Sequence, residues 1–224
     1  MKRLSYLTLA LAALLSACEM DNYDEPESIL QGRVVYEGQP VSVRQNGVQL
    51  ELWQDGYQEK EHIPVHVHQD GTYRATLFDG EYKLVRKQNN GPWVNNPDTI
   101  RVQLNGSQTL DVPVVPYFII KDASFTRNGA TLTATFRVEQ IVEDRDLERV
   151  TLFVGTGQFV DPNYNAGRVD LNASEIADLN APITLTLELP ASLQNRAYFF
   201  ARVGAKTAGV EEMIYTQSQK IQAQ

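Results

Sequence analysis

Apolar and polar residues alternate along this chain in short stretches set off by turn-forming pairs, the period-two pattern of half-buried β-strands. Gly32-Arg33-Val34-Val35-Tyr36 opens the pattern and stops at Gly38-Gln39-Pro40. Val48, Leu50 and Leu52 then alternate with Gln49, Glu51 and Trp53, and Ile63, Val65 and Val67 with His62, His66 and His68. Asp70-Gly71 predicts a tight turn into a strand over 72–77, and Asp79-Gly80 another into 81–86 with Tyr82 and Leu84 inward. Glycine supplies positive φ in such turns and the aspartate side chain bonds the nearby backbone. Strands over 99–104 and 109–115, parted by Asn105-Gly106, close this half.

The second half repeats the theme with different punctuation. Ala130, Leu132, Ala134, Phe136 and Val138 alternate with Thr131, Thr133, Thr135 and Arg137. Further strands are predicted over 149–155, 183–189, 197–206 and 214–221, with one helical turn over 174–179 capped by Ser174. Pro113 and Pro116 mark a junction, so the expectation is an all-β chain with domains at 28–116 and 117–224. Pro116-Tyr117-Phe118 leaves little slack between them, which favours a rigid pair.

Ahead of the first strand the pattern changes. Met1-Lys2-Arg3 is a cationic head, and the apolar stretch over 4–15 is too short for a stable transmembrane helix. Leu15-Ser16-Ala17-Cys18 then matches a bacterial lipobox, which makes 1–17 a lipoprotein signal peptide and Cys18 the lipidated residue. Each buried methylene is worth about 0.8 kcal/mol, and two or three acyl chains exceed the one-chain threshold for stable anchoring. Cys18 is the one cysteine, so with its thiol lipidated neither an intramolecular disulfide nor a thiol nucleophile is available. Residues 18–27, acidic and proline-bearing, read as a tether. Without Lys2 and Arg3 the body keeps 18 basic against 28 acidic residues, a net charge of −10, which argues against nucleic acid as a partner.

Two resemblances add to this reading. Asp70-Gly71-Thr72-Tyr73-Arg74, followed by Phe78-Asp79-Gly80-Glu81-Tyr82-Lys83-Leu84, resembles the carboxypeptidase-regulatory or transthyretin-like sandwich, as does the opening strand. The stretch over 198–206 resembles a late strand of fibronectin type III/Ig-like sandwiches. Both halves in this order resemble a two-domain family of Bacteroidetes outer-membrane lipoproteins of unknown function, encoded beside SusC/SusD-like glycan-uptake systems. Leu30-Gln31-Gly32-Arg33-Val34-Val35, Gln54-Asp55-Gly56-Tyr57, Gly91-Pro92-Trp93, Val154-Gly155, Phe159-Val160-Asp161 and Arg202-Val203-Gly204 carry the likeness. It implies two tandem β-sandwiches behind a lipoprotein signal, an outer-membrane position, and SusC/SusD-like transporter proteins as partners. Acidic residues directly after Cys18 also resemble the surface-export signal of such lipoproteins, which places the body on the cell exterior. No catalytic or binding residue carries over.

The residues themselves show no catalytic constellation. No serine lies in a Gly-x-Ser-x-Gly elbow, and no glycine-rich loop precedes a helix in the phosphate-binding pattern. His62, His66 and His68 share parity, yet without a further His or Cys partner they read as the polar face of a sheet, and no metal or cofactor is expected. Aromatics are the better lead, because sugars stack their C–H faces on aromatic rings while their hydroxyls seek amides. Trp53 on the polar parity of its strand, Tyr57 just beyond it, Trp93 and Asn95 in the amide-rich stretch 89–98, and Tyr164 in 159–165 are the candidate ligand contacts. The expectation is a non-catalytic surface lipoprotein assisting polysaccharide capture. The alternatives are a structural subunit without glycan affinity, its tryptophans packed at interfaces, and an adhesin binding a host protein.

Overall fold

The computed structural model describes residues 24–56 and 61–222. The expected signal peptide, Cys18, most of the expected tether and Tyr57 lie outside the described residues. The chain folds into two β-sandwiches in tandem. In the first, β1 (Ser28–Tyr36) is flanked by antiparallel β2 (Gln39–Pro40) and β5 (Thr72–Leu77) and by parallel β8 (Ser107–Thr109) and β9 (Val112–Pro113). Its second sheet runs β4-β3-β6-β7, from β4 (Ile63–His66), β3 (Gln49–Trp53), β6 (Gly80–Arg86) and β7 (Ile100–Leu104). The alternation expected for β3 holds: Leu50 and Leu52 are fully buried, Gln49, Glu51 and Trp53 half-exposed. On β4, Val65 is buried, but Ile63 is 39% exposed because it begins an edge strand.

In the second sandwich a three-stranded sheet, β10-β11-β14, comprises β10 (Phe118–Asn128), β11 (Thr131–Gln140) and β14 (Ile183–Glu188). It faces a larger sheet of β13 (Gly167–Asn172), β12 (Leu147–Gly155), β15 (Tyr198–Thr207), β16 (Ile214–Tyr215) and β17 (Gln219–Gln222). The single strand expected over 214–221 is two, because Thr216 turns both its groups onto β15. Its hydroxyl accepts the Val203 N–H at 3.1 Å and its carbonyl accepts Arg202 Nε–H at 2.8 Å. The expected helical turn is a 3-10 turn at Ala173–Glu175, and its cap is Asn172 instead of Ser174, with Glu175 reaching back to the Asn172 N–H at 3.0 Å.

The domains share one continuous apolar cluster, to which Val114, Tyr117 and Phe118 at the junction belong. β1 is pinned at its first residue. The Ser28 hydroxyl donates to the Asp79 carboxylate, which also accepts the Gly106 N–H at 2.9 Å. The Ser28 bond, then the Gly106 bond, hold the Asp79 carboxyl below the usual carboxylate range against a small opposing effect of burial. A depressed folded value stabilises the fold above the unfolded value of about 4, and the contribution fades as pH falls through the folded value. Asp79→Asn is therefore expected to lower the urea midpoint at pH 6 and to leave it closer to that of the parent at pH 3. Parallel midpoint curves for the two proteins would contradict this.

Candidate functional site

The outer face of the β12–β15 sheet is not left to solvent. Phe153, Val160, Met213 and Tyr215 form a second buried apolar cluster there, with Phe200 packed against it. The loop after β12 folds over this cluster, and Asp161 is its staple. Asp161 is 2% exposed, and its carboxylate accepts the N–H groups of Asn163 at 2.7 Å and Tyr164 at 2.9 Å. Asn165 closes the loop by donating its amide to the Asp161 carbonyl at 3.0 Å. Held this way, Tyr164 stands 71% exposed and Phe159 46% exposed on the loop's outer side.

The first sandwich supplies the facing wall through its β2–β3 connection. Tyr215 forms an antiparallel bridge with Ser42, and the Gln217 amide donates to the Ser42 hydroxyl at 2.6 Å. Arg44 forks onto Glu212, its Nε–H reaching Oε2 at 3.2 Å, and the Glu212 side chain is almost fully buried. That bond to Glu212 raises the Arg44 pKa above its ordinary value, with burial opposing. At the centre lies Arg202, fully buried on β15. It donates to the Val43 carbonyl at 2.8 Å, the Gln69 carbonyl at 3.1 Å and the Thr216 carbonyl at 2.8 Å, and stacks 4.2 Å above the Tyr215 ring. Between these walls lies a cleft of 680 Å³, with Phe159 and Tyr164 on one side and Arg44, Gln45 and Asn46 on the other. Its size matches small-molecule sites, and its chemistry is flat rings beside amides. Among the described residues lining it, Arg44 is the one formally charged group, already neutralised by Glu212.

Among the described residues expected to contact ligand, Tyr164 alone lines this cleft. Trp53 lies on the outward face of β3, half-buried. Trp93 is corrected: it is 4% exposed, a core residue and not a platform. It bridges Pro116, while Val94 N–H donates to Val115 and Tyr117 N–H to Pro92, so its loop clasps the linker between domains. Gly91 makes room for it, since a Cβ there would stand 2.2 Å from the indole. Asn95 is exposed but committed to its own loop, exchanging amide bonds with Asn89 at 2.7 and 2.6 Å. The three histidines do not converge with other ligands, and among the described residues no three His, Cys, Asp or Glu side chains gather to hold a metal ion. Phe159, Arg44, Gln45 and Asn46 were not among the expected contacts. Phe159 was visible as an aromatic near an amide-rich stretch, whereas nothing local pointed to the other three.

Two tandem β-sandwiches, all-β and locked through a buried arginine, define the class. Residues 28–115 match the model of the N-terminal domain of DUF3823, a protein family of unknown function, and residues 118–220 match its C-terminal domain. The chain belongs to the DUF3823 family. Crystal structures of family members from Bacteroides ovatus and Parabacteroides merdae are each similar at 36% identity and a TM-score of 0.81, covering 89% of this chain and all of theirs. A Bacteroides uniformis protein described as a putative carbohydrate binding protein is similar in fold at 20% identity and a TM-score of 0.74, with the same coverage. No curated protein matches the chain.

Proposed function

We propose that this chain is a non-catalytic, lipid-anchored protein of the outer cell surface that captures a polysaccharide in the cleft between its sandwiches for a SusC/SusD-like uptake system. The observation that carries the reading is the exposure of Tyr164 and Phe159 on a stapled loop opposite an amide wall from the other domain. A loop backbone stapled before the ligand arrives leaves less to order on binding. The cleft offers stacking faces and hydrogen-bond partners, and among the described residues no carboxylate pair lines it to act as acid and base. The lipobox at Cys18 and the acidic tether support the surface position. The description of the Bacteroides uniformis relative agrees with the ligand class, although at that identity the likeness is one of fold.

The test is affinity electrophoresis of the chain from residue 19 onward, which contains both sandwiches entire, in gels loaded with plant, host and microbial polysaccharides. Retardation by one glycan is expected, with Tyr164→Ala weakening it about tenfold, or about 1.4 kcal/mol. No retardation across the panel sinks the reading. The burial of Trp93 at the linker favours a second one, a structural subunit without glycan affinity, which co-purification with a transporter pair would then address.

A further inference from the structure

The outward face of the first sandwich carries a feature the cleft does not use. Register across β3, β6 and β7 places Trp53 opposite Lys83, and Lys83 opposite Arg101, in one transverse row. Two depressions flank this row and share Trp53, Gln54, Asp55 and Lys83. One, of 440 Å³, extends toward Glu81 and Gln103, and the other, of 270 Å³, toward Val85 and Thr99. Together they form a trough along β6 from Glu81 to Val85, about 13 Å at the strand rise, room for a short run of sugar rings.

The Trp53 ring is set before any ligand binds. Its Nε1–H donates to Glu51 at 3.2 Å and its face leans on His62, with centroids 5.2 Å apart and planes inclined by 38°. The polar groups along the trough balance in charge. Lys83 is paired with Asp55 at 2.6 Å, and the positive charge of exposed Arg101 is offset by the negative charge of exposed Glu81. Charged side chains make the stronger hydrogen bonds to hydroxyls, while a balanced set gives no preference for a polyanion.

We propose that this trough is a second binding site, for a short run of an uncharged linear glycan, with Trp53 as its stacking platform. It stands apart from the cleft and shares with it only the ligand class. One polysaccharide engaging both sites would bind more tightly than either site alone allows.

Intrinsic fluorescence tests it directly. The chain has two tryptophans, Trp93 is buried, and the cleft has none, so acrylamide quenching reports on Trp53. The probes are xyloglucan, hydroxyethylcellulose, galactomannan, arabinoxylan and pullulan, with polygalacturonate as the anionic control. One neutral probe is expected to shield Trp53 from quenching, equally between about 50 and 500 mM salt. Tyr164→Ala should preserve that shielding. Trp53→Ala should weaken binding of the same probe about tenfold by calorimetry, while Trp53→Phe, which keeps a ring, should retain most of it. Shielding by no neutral probe, shielding by polygalacturonate alone, or a Trp53→Ala variant that binds like the parent each overturns the proposal. If Tyr164→Ala abolishes binding and Trp53→Ala does not, the cleft stands and the trough falls; the opposite result fells the cleft alone.

Discussion

Arg202→Ala is expected to destabilise the chain by about 3–5 kcal/mol and to split its urea unfolding into two transitions, one for each sandwich. The guanidinium is fully buried, and among the described residues no carboxylate lies within ion-pair distance of it. Burial lowers its pKa to about 10, with Tyr215 and Asp161 opposing, so the group is still charged at neutral pH. Three backbone carbonyls and the Tyr215 ring replace the water it has lost. Alanine would leave the Val43 and Thr216 carbonyls without this donor, while the Gln69 carbonyl keeps only the Val43 N–H at 3.3 Å, at about 1–3 kcal/mol for each that stays dry. Relief from burying a charge offsets part of this. Lysine keeps the charge but lacks the fork, so Arg202→Lys should recover only a fraction. The cleft's walls come from different domains, so the polysaccharide binding proposed for it should weaken with the coupling. A single transition at the parent midpoint in Arg202→Met, which keeps bulk without donors, would show that the contact does not join the domains.

This dependence on a contact between domains explains what could be read from the residues and what could not. Strands with one dry and one wet face announce themselves, as Leu132, Ala134, Phe136 and Val138 do on β11. β10 does not, because a register shift between Lys121 and Ser124, with Asp122 at φ 53°, breaks the two-residue period. Turns at Gly71 and Gly106 were legible because both adopt positive φ. Tyr164 was legible too, an aromatic in an amide-rich loop. Its opposing wall was not, since Arg44, Gln45 and Asn46 belong to the other sandwich. Alternation assigns Arg202 to the outward face of its strand, and carries no signal that another domain covers that face. Trp93, set between prolines among asparagines, has the composition of an exposed loop. Its burial depends on the absent side chain of Gly91 and on the linker lying against it at Pro116.

The other large effect comes from a single methyl group in the middle of β1. Gly32→Ala is expected to cost more than about 4 kcal/mol, or to prevent the first sandwich from folding. A Cβ at Gly32 would stand 1.8 Å from the carbonyl oxygen of Leu110 and 2.6 Å from its carbon. The obstacle is backbone, so no rotamer change relieves it. Leu110 cannot easily retreat either. Its N–H donates to the Gln31 carbonyl at 2.8 Å, and its carbonyl accepts the buried Tyr73 hydroxyl at 2.6 Å. The crossing lies between the parallel pairings of β1 with β8 and with β9, so moving Leu110 away pulls on both. Gly38→Ala separates this cause from the general loss of a glycine. Gly38 has φ of 75° and nothing near its absent Cβ, so alanine there meets only the left-handed penalty of about 1–2 kcal/mol. Urea midpoints of the two variants decide the matter: equal losses would mean that the approach of Leu110 yields, and that β1 tolerates a side chain where the strand now has none.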